Sequence, residues 1–146
     1  MTVKRNSGLH HRSITVDGLQ IFYREGGSDD APILLLLHGF PSASHQYARL
    51  MERLSDRVHV IAPDYPGFGY SSSPASSNDH GDFVYTFDHL ADVTEAFLVT
   101  LGIDRFFMYV FDFGAPVGYR VASRHPACIR WVFAQTVNTY EEGLGR

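Results

Sequence analysis

The chain holds one cysteine in 146 residues, Cys128, so no internal disulfide forms and nothing points to an oxidised, stapled scaffold. Beside Ile129, at the approach to an apolar run, that thiol reads as buried and structural. No stretch approaches the roughly 18 apolar residues of a membrane span, and no apolar run follows Met1–Asn6 as in a signal peptide. Lys and Arg total 12 against 16 Asp and Glu, a net charge of −4 with no basic cluster, which argues against nucleic acid or an anionic membrane as partner. Gly-x-x-x-x-Gly-Lys-Ser/Thr is missing, and Gly67-Phe68-Gly69 lacks both a third glycine and a following helix, so neither phosphate-binding loop is expected. The eight histidines (10, 11, 38, 45, 59, 80, 89 and 125) show no ligand spacing, and no metal or other cofactor is expected. Nor does Gly-x-Ser-x-Gly occur, which excludes the ordinary serine elbow. These absences leave the expectation of a soluble cytoplasmic protein.

What is present is 45% hydrophobic and 19% charged, the balance of a globular chain. Its length suits one domain that buries about two-thirds of its unfolded surface. Asp17-Gly18 lies between loosely alternating runs from Ser13 to Arg24 and predicts a hairpin. Ile33–Leu37 is a continuous apolar run stopping at His38-Gly39-Phe40-Pro41, as a central strand with a glycine turn would. Tyr47, Leu50, Met51 and Leu54 fall at helical spacing, with Ser42 or Ser44 as caps. A strand over Val58–Ala62 runs into Asp64-Tyr65-Pro66-Gly67-Phe68-Gly69-Tyr70-Ser71, and Ser71–Asp82 reads as a long exposed loop. Thr86 caps a second helix closed by Gly102. Strands over Phe106–Phe111 and Arg130–Ala134 flank a helix ending near His125-Pro126. A hairpin followed by strand–helix alternation predicts an α/β fold, a mostly parallel, doubly wound sheet.

Asp112 interrupts the strongest of these runs, where small residues and Pro116 lead into a helix. Two readings stand side by side: a carboxylate presented for chemistry at the C-terminal edge of the sheet, and an acid that caps the helix.

The ordered set His38-Gly39-Phe40-Pro41, Asp64 to Ser71 and Phe111-Asp112-Phe113-Gly114, each at a strand end, resembles the α/β-hydrolase superfamily. More narrowly it resembles the branch with an aspartate nucleophile, which holds epoxide hydrolases and haloalkane dehalogenases. The resemblance runs from Ser13 onward. It implies Asp112 as nucleophile, the backbone N–H groups of Phe40 and Phe113 as an oxyanion hole, and His38-Gly39 as shapers of that loop. A carboxylate is already ionised near neutral pH and needs no base to attack carbon.

Three departures modify what is implied. Val110 stands where such elbows carry a small residue, so the turn must accommodate a β-branched side chain. Phe40 and Phe113 offer no side-chain N–H to a leaving halide, which favours an epoxide hydrolase over a dehalogenase; an ester hydrolase stands as a further alternative. The family's lid, triad acid and triad histidine come after the last strand visible here. His125, thirteen residues beyond Asp112 along a helix, would lie roughly 20 Å away at 1.5 Å per residue. The expectation is residues 1–12 as a flexible N-terminus and 13–146 as the N-terminal half of a hydrolase domain, truncated after the sixth strand and lacking a full triad. Its substrate, once completed, would be a small hydrophobic electrophile. The competing expectation is a non-catalytic half-fold that associates with another chain through its open sheet edge.

Overall fold

A computed structural model describes residues 8–137. The flexible segment expected at the N-terminus lies outside the described residues over 1–7. Strand β1 (His10–Val16) already pairs from His10, ahead of the expected start at Ser13, and turns at Asp17-Gly18 into β2 (Leu19–Gly26). Both turn residues have positive φ, 49° and 80°, which an Asp-Gly pair supplies at low cost. Then follow β3 (Ile33–Leu37), α1 (Ala48–Leu54), β4 (His59–Pro63), α2 (Phe87–Thr100), β5 (Phe106–Phe111), α3 (Gly114–Arg124) and β6 (Ile129–Gln135).

The strands form one sheet in the order β1-β2-β4-β3-β5-β6, antiparallel as far as β4 and parallel from there on. Successive strand side chains point to opposite faces, so Ile33–Leu37 serves two cores. Leu34 and Leu36 meet Tyr47 and Met51 on the α1 side, whereas Leu35 and Leu37 meet Phe97, Val117 and Val121 on the side of α2 and α3. Cover on both faces explains why this strand is apolar without alternation. The doubly wound, mostly parallel α/β architecture is therefore as the sequence predicts. Among the described residues no helix is long and apolar enough to cross a membrane.

Two local expectations need adjustment. Thr86 does cap α2, its side chain accepting from the His89 N–H at 3.1 Å. Neither Ser42 nor Ser44 caps α1. A 3-10 turn over Ser44–Tyr47 leads into that helix, and neither it nor α1 has a side-chain cap. The Ser44 N–H is drawn instead to the carboxylate of Asp64, at 2.7 Å.

Candidate active site

The C-terminal ends of β3, β4 and β5 are adjacent because those strands are neighbours in a parallel sheet, and each ends in a different loop. From β3 come His38, Gly39 and Phe40; from β4, Asp64; from β5, Asp112. The turn at Asp112 is tight. Its φ is +49°, a left-handed conformation that non-glycine residues rarely adopt and Asp tolerates better than most. Two glycines make the crowding possible. A Cβ on Gly39 would stand 2.6 Å from the Asp112 Cβ, and one on Gly114 would stand 2.2 Å from the Leu37 carbonyl oxygen.

A third glycine accommodates Val110. The Val110 Cγ1 would be only 2.5 Å from a Cβ on Gly118. The bulk that the elbow strand carries at position 110 is thus absorbed one helical turn into α3, where Gly118 has no side chain.

The Asp112 carboxylate is half-buried. Its Oδ1 accepts two backbone N–H groups, from Phe40 at 2.8 Å and Phe113 at 2.7 Å. Oδ2 has no hydrogen-bond partner among the described residues. The alternative of a helix cap is not what the side chain does. In the first turn of α3 the Ala115 N–H goes to the backbone carbonyl of Asp112 at 3.0 Å, and no side chain caps the helix. Instead the carboxylate ties the β5 elbow to the loop after β3.

His38 lies beneath that loop, fully buried. Its Nδ1 lies 3.0 Å from the Gly39 carbonyl oxygen and its Nε2 accepts the Tyr65 N–H at 3.2 Å. A carbonyl can only accept and an N–H can only donate, so the ring is neutral with its proton on Nδ1. Burial holds its pKa below the usual imidazole range. Both nitrogens are engaged, so this histidine shapes the loop.

Asp64 belonged to the motif, yet the sequence assigned it no role of its own. It is 1% exposed and satisfied at both oxygens, Oδ1 by the Ser44 N–H and Oδ2 by the Tyr70 N–H at 2.9 Å. A Cβ on Gly69 would be 2.0 Å from Oδ2, which is why the loop carries glycine there. The available signal was an acid directly after a buried apolar strand, followed by glycines that let backbone close around it.

Around Asp112 the surface is aromatic. Phe40 and Phe113, whose N–H groups hold Oδ1, also stack their rings, with centroids 5.3 Å apart. The candidate residues Asp112, Phe40, Phe113, His38 and Gly39 are thus brought together at one sheet edge. His125 is not among them, since it pairs with Glu95 of α2 at 3.3 Å just beyond the far end of α3. Among the described residues no three His, Cys, Asp or Glu side chains gather as metal ligands.

A family model for the alpha/beta hydrolase fold matches residues 32–140. The chain belongs to the alpha/beta hydrolase fold family. Within that family it is 41% identical over 134 residues to an uncharacterized hydrolase of Saccharomyces cerevisiae, covering 92% of this chain and 44% of that one. It is 37% identical over 119 residues to a fluoroacetate dehalogenase of Burkholderia sp, covering 82% of this chain and 38% of the relative. Among solved structures, an epoxide hydrolase from Vigna radiata superposes with a TM-score of 0.80 at 28% identity, over 90% of this chain and 41% of that one. The chain thus spans about two-fifths of the length of these relatives.

Proposed function

We propose that Asp112 is the nucleophile of an epoxide-opening hydrolase reaction. The observation that carries this reading is the division of labour within its carboxylate. Oδ1 is anchored by two N–H donors, and Oδ2 accepts no hydrogen bond among the described residues. A lone pair of Oδ2 would form a bond to an epoxide carbon as the ring C–O bond breaks. The released alkoxide takes a proton from water, leaving a hydroxyalkyl ester on Asp112. The same two N–H groups then face the ester carbonyl oxygen, where charge develops when water attacks.

That second step needs a base to activate the water. His38 is neutral with both nitrogens engaged, and His125 is held by Glu95. On this reading neither of these two histidines supplies that base, and the described residues carry the reaction as far as the ester. Dehalogenation is the second reading, favoured by the name of the Burkholderia relative. Carboxylate attack on carbon is common to both reactions, but the side chains of Phe40 and Phe113 have no donor for a departing halide.

The test is incubation with a small reactive epoxide, followed by intact-mass and peptide mass spectrometry. One adduct per chain at Asp112, absent from Asp112→Asn, is the expected result. Labelling spread over Asp64, Asp104 and Glu95 as readily as Asp112 would overturn the nucleophile assignment. Hydrolysis of many equivalents per chain would overturn the reading that neither His38 nor His125 supplies the base and that turnover stops at the ester.

A further inference from the structure

The two residues whose N–H groups hold Asp112 belong to a larger aromatic cluster. The Phe113 ring, stacked on Phe40, meets Phe87 edge-to-face at 5.1 Å and 87°. Phe40 in turn meets Phe68 edge-on at 6.3 Å. The four rings come from four separate segments: the loops after β3, β4 and β5, and the first residue of α2. Phe40 remains 58% exposed, an unusual state for so large an apolar side chain next to a carboxylate.

None of these four side chains has a polar atom. The cation that touches them is already engaged. The Arg120 guanidinium lies 5.8 Å from the Phe87 ring centre, donates to Asp88 Oδ1 at 2.9 Å, and donates to the Pro116 carbonyl at 3.0 Å. Among the described residues, the rings of this cluster thus bring neither a donor for a halide nor a free positive charge for a carboxylate. Ring edges are partly positive and ring faces partly negative, so an arene on the substrate gains from edge-to-face or offset contact where a saturated ring of equal size gains only from burial.

We propose that Phe87 is a specificity-determining residue that, with Phe40 and Phe113, selects neutral arene-bearing epoxides over saturated epoxides and over anionic haloacids. This rests on the assignment of Asp112 as nucleophile. It departs from the substrate named for the Burkholderia relative, which is an anion at neutral pH.

The test measures ester formation at Asp112 by peptide mass spectrometry, with styrene oxide, cyclohexyloxirane and chloroacetate as probes. Each rate is divided by that of the same reagent with free acetate, which removes intrinsic reactivity. In the first two cases the ring C–O bond breaks and the alkoxide takes a proton from water; in the third, chloride leaves. One aromatic contact corresponds to a preference of about three- to tenfold for styrene oxide over cyclohexyloxirane, with chloroacetate slowest. Phe87→Leu keeps apolar volume without a ring and lowers the aryl preference at least twofold; Phe87→Tyr keeps the ring and retains it. An aryl preference near one in the unmodified chain, or one kept by Phe87→Leu, overturns the proposal, as does chloroacetate labelling as fast as styrene oxide. If no reagent modifies Asp112, the nucleophile assignment fails, and this inference falls with it.

Discussion

Gly118→Ala probes how the elbow tolerates Val110. The new Cβ would stand 2.5 Å from Val110 Cγ1 and 3.1 Å from the Met108 sulfur, against an ordinary contact of about 3.4–4 Å. Val110, Met108 and Val117 are all 0% exposed, so there is no free volume to move into and the helix must lift from the strand. Overpacking of this kind costs about 1–3 kcal/mol. Replacing a helical glycine by alanine returns about 1 kcal/mol. The net expectation is a loss of up to about 2 kcal/mol, or a Tm lowered by up to about 8 °C for a chain of this size. Val110→Ala alone should cost about 2 kcal/mol for two buried methyl groups, and more for the space left behind. The double variant fills that space with the new methyl, so its loss should fall short of the sum by at least 1 kcal/mol. Urea unfolding followed by far-ultraviolet circular dichroism on all four proteins gives the coupling. A Gly118→Ala chain more stable than the parent, or losses additive to within about 0.5 kcal/mol, would refute the packing account of the elbow.

Asp64→Ala removes the acceptor for the Ser44 and Tyr70 N–H groups in a fully buried position. It should cost about 3–5 kcal/mol, read by the same unfolding experiment, and no loss would show that the two loops are held by something else. His38 has a folded pKa below its ordinary value of 6.5. The unfolded chain therefore binds this proton first, and the histidine's share of stability is complete above pH 6.5 and falls as the pH drops through that value towards the folded pKa. Unfolding measured between pH 7.5 and 5 should show stability falling with acidity, with a shallower slope in His38→Asn; identical slopes would remove His38 as the cause. β6 has no strand on its outer side among the described residues, and Trp131 and Phe133 on it are 69% and 51% exposed. A second copy pairing along that edge is the expected consequence, and sedimentation showing a monomer at roughly tens of micromolar would count against it.

Where a local signal decides an element, the sequence was legible. Asp17-Gly18 needs only its neighbours to make a hairpin, and the pairing of Val16 with Leu19 follows from a two-residue turn. Thr86 caps α2 because a β-region threonine finds the His89 N–H three residues on. The entry to α1 failed on the same logic. Ser44 is a good cap by composition, but Asp64 lies twenty residues away in sequence and takes its N–H at 2.7 Å. Val110 and Gly118 were equally illegible as a pair. One reads as an anomaly in a strand and the other as a weakness in a helix, and only the packing of α3 on β5 makes each the reason for the other.

The site shows the same division. Asp64 and Asp112 both follow an apolar strand, and nothing local separates them, yet their oxygens have different fates. Asp64 is buried with both oxygens taken by backbone N–H groups, and the Ser71 hydroxyl donates to its carbonyl at 2.7 Å, so it has no free lone pair facing solvent. Asp112 has one oxygen taken and the other without a partner among the described residues. The segment from Phe40 to Ser44 is suspended between them, its first N–H on Asp112 and its last on Asp64. Displacing either carboxylate must therefore move the donor on which the other depends. The prediction for Asp64→Ala thus has a second part. Because Phe40 is held on the far side of the same segment, losing Asp64 should also disorder the Asp112 Oδ1 contact. Esterification would then lose selectivity for Asp112 even in molecules that remain folded, and selective labelling at the parent rate would show that the two carboxylates act independently.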